Sequence, residues 1–334
     1  MEYHGTRLPA RARRPEPSWP TVIATTLRLW FERHPVAGRK GTRGRRVTVG
    51  AAAVGAAALG AGVTLAIVGH TTTSAPVGAP PSAPPSAGST GALGASAATR
   101  AQAASWIAGQ VASSAVVACD PAMCAALQAD GLPAARLLVL GTAVADPLGS
   151  DVVVATASVR NQFGARLASV YAPAVIASFG SAAGRIDIRA TASDGTAADA
   201  SARAADRRAR ISAGAQLLRN SRIAVAPGAR AALSDGDVDP RVLMLLAALA
   251  VQQPVRISAF GDPSPGASQA VPLRSVQIAP LRQGTQAESR LRAMRSFFEA
   301  QQQQFLPLRA SLAGTSALTV EYAAPSPLGL IGGP

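Results

Sequence analysis

Histidine is the residue this chain most clearly lacks. Its three copies, His4, His34 and His70, all precede residue 71. Residues 71–334 therefore cannot supply a Ser-His-Asp or Cys-His pair, a histidine general base or an imidazole metal ligand. Lysine occurs once, at Lys40, so arginine is the cation everywhere else. Aromatic residues make up 4% of the chain. The two cysteines, Cys119 and Cys124, stand in ACDPAMC, a C-x4-C spacing that is neither a thioredoxin motif nor a zinc pattern. Chemistry in residues 71–334 would have to use carboxylates, hydroxyls or arginines, and the sequence calls for no cofactor and no metal.

Charge is uneven. Of 32 basic and 18 acidic residues, 11 basic and 3 acidic fall in residues 1–46. This excess sits next to VTVGAAAVGAAALGAGVTLAIVG, residues 47–69, which carry no charge over 23 positions. An α-helix needs roughly 20 apolar residues to cross a bilayer. Arg39, Lys40, Arg43, Arg45 and Arg46 precede the stretch, and no basic residue follows it until Arg100. Positive charge stays on the cytoplasmic side. The pattern predicts a single-pass membrane protein with residues 1–46 as a basic cytoplasmic tail and its C-terminal region outside. A basic tail beside a span orients it and touches lipid headgroups, which accounts for the net charge of +14 without nucleic acid. Ala51/Gly55 and Ala58/Gly62 have the small-xxx-small spacing through which spans self-associate. Arg45-Arg46 before a Gly-rich apolar stretch also resembles a twin-arginine export signal. The apolar core of a cleaved signal is usually about 7–15 residues, so a retained anchor is preferred.

Residues 70–98 are rich in Pro, Ala and Ser and read as a polyproline-like linker. From residue 99 short apolar runs alternate with helical patterns, which predicts an α/β fold. Strands are expected at 114–119, 136–140, 151–156, 173–179 and 185–190 in a first unit over 99–196. A polar helical connector follows at 197–220. A second unit, 221–324, has expected strands at 222–226, 255–260, 274–279 and 318–322, with residues 325–334 as a flexible end. SAVVACDPAMCAALQADG (114–131) and SRIAVAPGARAALSDG (221–236) share a strand, proline, helix, Asp-Gly order, which suggests tandem α/β units. Asp120-Pro121 and Asp239-Pro240 are helix starts, with Asp as N-cap and Pro at the first position. Thr285 and Glu288 have capping-box spacing, opening a helix with Ala287, Leu291, Met294, Phe298 and Phe305 on one face.

Candidate sites are few. Outside a membrane Cys119 and Cys124 are expected to form a small structural disulfide. Arg203, Arg207, Arg208 and Arg210 form a candidate anion-binding patch, or else pair with Asp199 and Asp206 on a solvated helix. SDGDVDP (234–240) alternates Asp235, Asp237 and Asp239, but Pro240 and Leu246 stand where a calcium loop needs Gly and Glu. Asp120 and Asp151 flank strands, and an acid/base pair between them depends on strand direction. FGDPSPG (260–266) follows a strand as either a binding lip or a surface loop.

The run DVDPRVLMLLAALAVQQPVRISAFGD (237–262) resembles a segment of secreted D-alanyl-D-alanine carboxypeptidase-like proteins of high-GC bacteria. In those proteins a Gly-His-Ser turn follows the strand. Here the turn is Gly261-Asp262-Pro263 with no histidine after it, so the resemblance implies a fold kept for binding or scaffolding, without that family's metal ligands. The chain as a whole resembles single-pass membrane proteins of such bacteria. The expected function is a membrane-anchored, non-catalytic binding or scaffold domain of the cell envelope, with an envelope polymer or a membrane protein as partner. The alternatives are a carboxylate-based glycan hydrolase of the envelope and a transmembrane signalling protein.

Overall fold

The computed structural model describes residues 88–141, 146–268, 271–282, 284–314 and 316–331, with side chains from Ser96 onward. The expected tail, span and most of the linker lie outside the described residues. Among the described residues no helix is long and apolar enough to cross a membrane.

Helix α1 (Gly88–Gln110) begins inside the stretch expected as linker. Beyond Pro85 no proline interrupts an alanine-rich run, and alanine is the best helix former. Its Ala103, Ala104 and Ile107 are buried against a five-stranded sheet. That sheet comprises β1 (Val117–Cys119), β2 (Leu137–Val139), β3 (Val152–Ala155), β4 (Ala174–Phe179) and β5 (Ile186–Ala190) in the order β2-β1-β3-β5-β4. The strands β2, β1 and β3 are parallel, while β5 is antiparallel to both its neighbours. Helix α2 (Pro121–Ala129) shares the face of α1, and helix α3 (Ala157–Phe163) covers the other. Val152 and Val154 point into one core and Val153 and Ala155 into the other, so all of β3 is apolar and buried.

Helix α4 (Thr196–Arg219) leads to the second sheet: β6 (Ile223–Val225), β7 (Val255–Gly261), β8 (Ser275–Pro280), β9 (Arg309–Ala313) and β10 (Ala317–Glu321), in the order β6-β7-β8-β10-β9. Only β6 and β7 pair in parallel. One face is buried under helices α5 (Pro227–Ser234), α6 (Pro240–Gln252) and α7 (Ala287–Glu299). Alternate residues such as Leu318 and Val320 form that core, which gives β10 the alternation read from its sequence. Strand β9 was not expected. It is an edge strand with no fully buried residue, so it carries little apolar signal.

The molecule is a mixed α/β fold of two five-stranded mixed sheets, both within one compact unit. The matching segments 114–131 and 221–236 both form a strand and a proline-led helix, yet β1 is internal and β6 is at an edge. What the two sheets share is a later unit: strand, helix, then a hairpin whose second strand returns beside the first. It is β3-α3-β4-β5 in one sheet and β8-α7-β9-β10 in the other.

Two expectations are corrected. The capping box does not form: α7 starts at Ala287 behind Gln286, which makes no side-chain cap. Glu288 pairs instead with Arg292 one turn on, at 3.1 Å. Of the segment 325–334, expected to be flexible, the described residues 325–331 continue from Ala324 as a strap. The Ala324 amide donates to the Gln110 carbonyl and the Ala112 amide to the Ala324 carbonyl, both at 2.8 Å. The Ser326 hydroxyl donates to Asp239 at 2.6 Å, the Gly329 amide donates to Asp206 at 3.1 Å, and Ile331 is buried in the second core. All but the Ile331 anchor are backbone or hydroxyl contacts, which hydropathy does not reveal.

Candidate functional site

Helix α4 places Arg203, Arg207 and Arg210 on one face, because residues four and seven apart fall on successive turns. That face lines a crevice of about 220 Å³, closed opposite by Ala174, Ile176 and Ala190 of the first sheet, by Val271 and Pro272, and by Pro325, Ser326 and Leu328 of the strap. The crevice opens into a wider depression of about 420 Å³. Its lining adds Ser150, Asp151, Thr191, Ser193 and Asp199, and it shares Ala190, Arg203 and the strap residues with the first cavity.

Of the four expected arginines, Arg208 is exposed and does not line the crevice. The other three are all paired, but unequally. Arg210 has a side chain 6% exposed; its Nε donates to Asp206 at 2.7 Å and Nη1 to the Gly236 carbonyl. Arg207 donates to the Asp235 carbonyl at 3.0 Å and lies 3.5 Å from Asp237. Arg203, 26% exposed, donates through Nε to Asp199 at 2.7 Å. Its terminal nitrogens have no hydrogen-bond partner among the described residues. The pairing with Asp199 and Asp206 is the one that the helical spacing allowed, and it leaves Arg203 with donors to spare.

The carboxylates are spread among structural tasks. Asp120 caps α2, accepting from the Met123 amide at 2.9 Å, and also accepts from the Thr156 hydroxyl. Asp151 accepts from the Val116 amide at 2.8 Å. Since β1 and β3 are parallel, Asp120 lies at the C-terminal end of its strand and Asp151 at the N-terminal end of its own, so the two stand at opposite ends of the sheet. They do not form an acid/base pair. The three aspartates of 234–240 diverge too: Asp235 ends α5, Asp237 meets Arg207, and Asp239 caps α6 through the Arg241 amide at 2.9 Å. Among the described residues no group of three His, Cys, Asp or Glu is arranged to hold a metal.

Three further ion pairs were not foreseen, two of them buried on both sides. Asp239 takes both Nε and Nη2 of Arg241, at 2.9 and 2.7 Å. Asp262 takes Arg274, which is fully buried and also donates to the Tyr322 carbonyl at 2.6 Å and to Ser264. Asp187 takes Arg185 at 2.6 Å and lies 3.7 Å from Arg189. Asp239 stands two positions from Arg241, and Asp187 two from Arg185 and Arg189, whereas Asp262 and Arg274 are 12 apart. Burial pushes the Tyr322 phenol far above its ordinary range; Asp239 adds to this and Arg241, over the ring at 5.0 Å, opposes it. The FGDPSPG loop acts as a cover. The Ser178 amide donates to the Pro265 carbonyl at 2.7 Å and the Ser268 amide to the Val175 carbonyl at 3.3 Å, which occupies the free edge of β4.

Cys119 and Cys124 are joined, with Cα atoms 5.4 Å apart, and both are buried where β1 turns into α2. Such a bridge is consistent with a domain outside the cytoplasm.

No protein-family model, curated protein or solved structure matches the chain.

Proposed function

We propose that residues 88–331 form a non-catalytic binding domain, held outside the cytoplasmic membrane by residues 47–69, which takes a component of the cell envelope or an envelope protein in the crevice between α4, the first sheet and the strap. The observation that carries the reading is the division of labour among charged groups. Asp120, Asp187, Asp206, Asp239 and Asp262 are each engaged by arginine, hydroxyl or backbone donors that fix the fold. The crevice and the depression it opens into retain Arg203, the Thr191 and Ser193 hydroxyls and an apolar wall. The disulfide supports an oxidising compartment. The uncharged run after a basic flank supports the anchor.

The test uses the full chain in detergent, incubated with solubilised envelope fractions. Ala204 lies exposed on the crevice face of α4, so Ala204→Trp fills the crevice without entering a core. The wild type is expected to retain an envelope component and the variant to lose it. Equal retention by both, or none by the wild type, rejects the reading.

A further inference from the structure

We propose that Arg203 is the centre of a carboxylate-recognition site, and that its ligand is a peptide or amino acid ending in a free carboxylate with a small apolar side chain beside it. The proposal rests on the reading of the crevice as a binding site and gives that site its ligand chemistry.

Among the described residues, Arg203 is the only arginine lining both cavities. Asp199 holds its Nε at 2.7 Å, which fixes the plane of the guanidinium. The end of the fork, Nη1 and Nη2, remains without an acceptor among the described residues. Two parallel N–H donors on a rigid plane match the two oxygens of a carboxylate. Arg210 is enclosed by its own partners and Arg207 is more exposed and engaged by Asp235 and Asp237, so neither offers the same fork.

The two cavities divide the rest of the ligand. Ala174, Ile176, Val271 and Leu328 give the inner one an apolar wall. At about 220 Å³ it is smaller than pockets for drug-sized ligands, which start at roughly 300 Å³, and it suits one small residue. The outer depression offers the Thr191 and Ser193 hydroxyls to the main chain of a preceding residue. Charge selects among anions. Asp199 neutralises Arg203, and Asp151 also lines the depression. A monoanion meets about half the repulsion from these two carboxylates that a phosphate dianion meets, and its two oxygens match the two free donors.

The experiment is calorimetric titration of the full chain in detergent with N-acetyl-alanyl-alanine, with its C-terminal amide and with inorganic phosphate. The free acid is expected to bind about tenfold or more tightly than the amide, since a site built for a hydrogen-bonding group rejects an analogue lacking it. Arg203→Gln is expected to remove that preference with the melting temperature retained. Arg203→Lys, which keeps charge and stem but not the fork, is expected to lose most of it. Arg208→Gln is expected to match the wild type. Displacement of retained envelope material by the free acid identifies the natural terminus as envelope-borne, and binding without displacement identifies a soluble peptide. Equal affinity for acid and amide, no binding of the acid, tighter binding of phosphate, or a preference that survives Arg203→Gln overturns the proposal. Because Ala204→Trp tests retention separately, retention lost in that variant alongside equal affinity for acid and amide leaves the crevice reading standing and removes only the carboxylate site.

Discussion

Tyr322 is fully buried, and its hydroxyl has no hydrogen-bond partner among the described residues. An unsatisfied buried hydroxyl costs about 1–3 kcal/mol, whereas an apolar group of the same shape avoids that cost. Tyr322→Phe is therefore expected to leave stability unchanged or to raise it by about 1 kcal/mol, measured by urea unfolding at pH 8. The high phenol pKa adds a pH dependence whose sign is fixed. The folded state holds its proton above the unfolded value of about 10. Stability from this group is complete below about pH 10 and is lost as pH rises beyond it, because only the unfolded chain ionises there. The wild type is expected to lose up to about 1.4 kcal/mol per pH unit more than Tyr322→Phe between pH 10 and 11. Equal losses in the two proteins would contradict this. At this scale the caps at Asp120 and Asp239 were legible, since Asp-Pro is a local signal acting on the next few amides. The partners Asp262 and Arg274 were not, being brought together by strand pairing.

Helix α4 read as a polar connector, yet it packs closely enough on α5 to require glycine. A Cβ built at Gly214 would stand 2.2 Å from the Leu233 carbonyl oxygen, a backbone atom with little freedom to move. Gly109 in α1 has nothing within 4 Å of such a Cβ. Both sit in helices, where alanine is favoured over glycine by about 0.5–1 kcal/mol. Gly109→Ala is expected to gain roughly that amount, and Gly214→Ala to lose about 2 kcal/mol as α4 and α5 are forced apart. Chemical denaturation of the pair checks it; a neutral Gly214→Ala would refute the close approach. Elements with a strong apolar pattern were legible, either as a continuous run buried on both faces, as in β3, or as an alternation buried on one, as in β10. The edge strand β9 and the start of α1 were not, because an exposed edge and an alanine-rich helix leave little periodic contrast.

The strap joins the parts at the scale of the whole molecule. It forms a bridge with the end of α1, gives hydrogen bonds to buried Asp239 and Asp206, and inserts Ile331 into the second core. Hydrogen bonds to charged groups contribute about 1.5–3 kcal/mol each, and a buried isoleucine about 1.5–3 kcal/mol. Removal of residues 325–334 is expected to lower stability by at least about 3 kcal/mol and to open the crevice, whose wall includes Pro325, Ser326 and Leu328. Unfolding curves and exchange of the Ala190 and Thr191 amides would report both effects; unchanged stability would show that the strap is dispensable. By itself the sequence determined the composition of the site's possible chemistry, the alternation of strands and helices, two helix caps and the cysteine pair, because each depends on residue type or on neighbours a few positions away. It also determined the uncharged run at 47–69 and its basic flank. Tertiary structure alone decided the two sheet orders, the opposite ends taken by Asp120 and Asp151, and the meeting of Arg203 with residues from β5 and from a strap over a hundred positions later. Those outcomes depend on which strands pair and in which direction, and pairing is settled by burial across the whole fold.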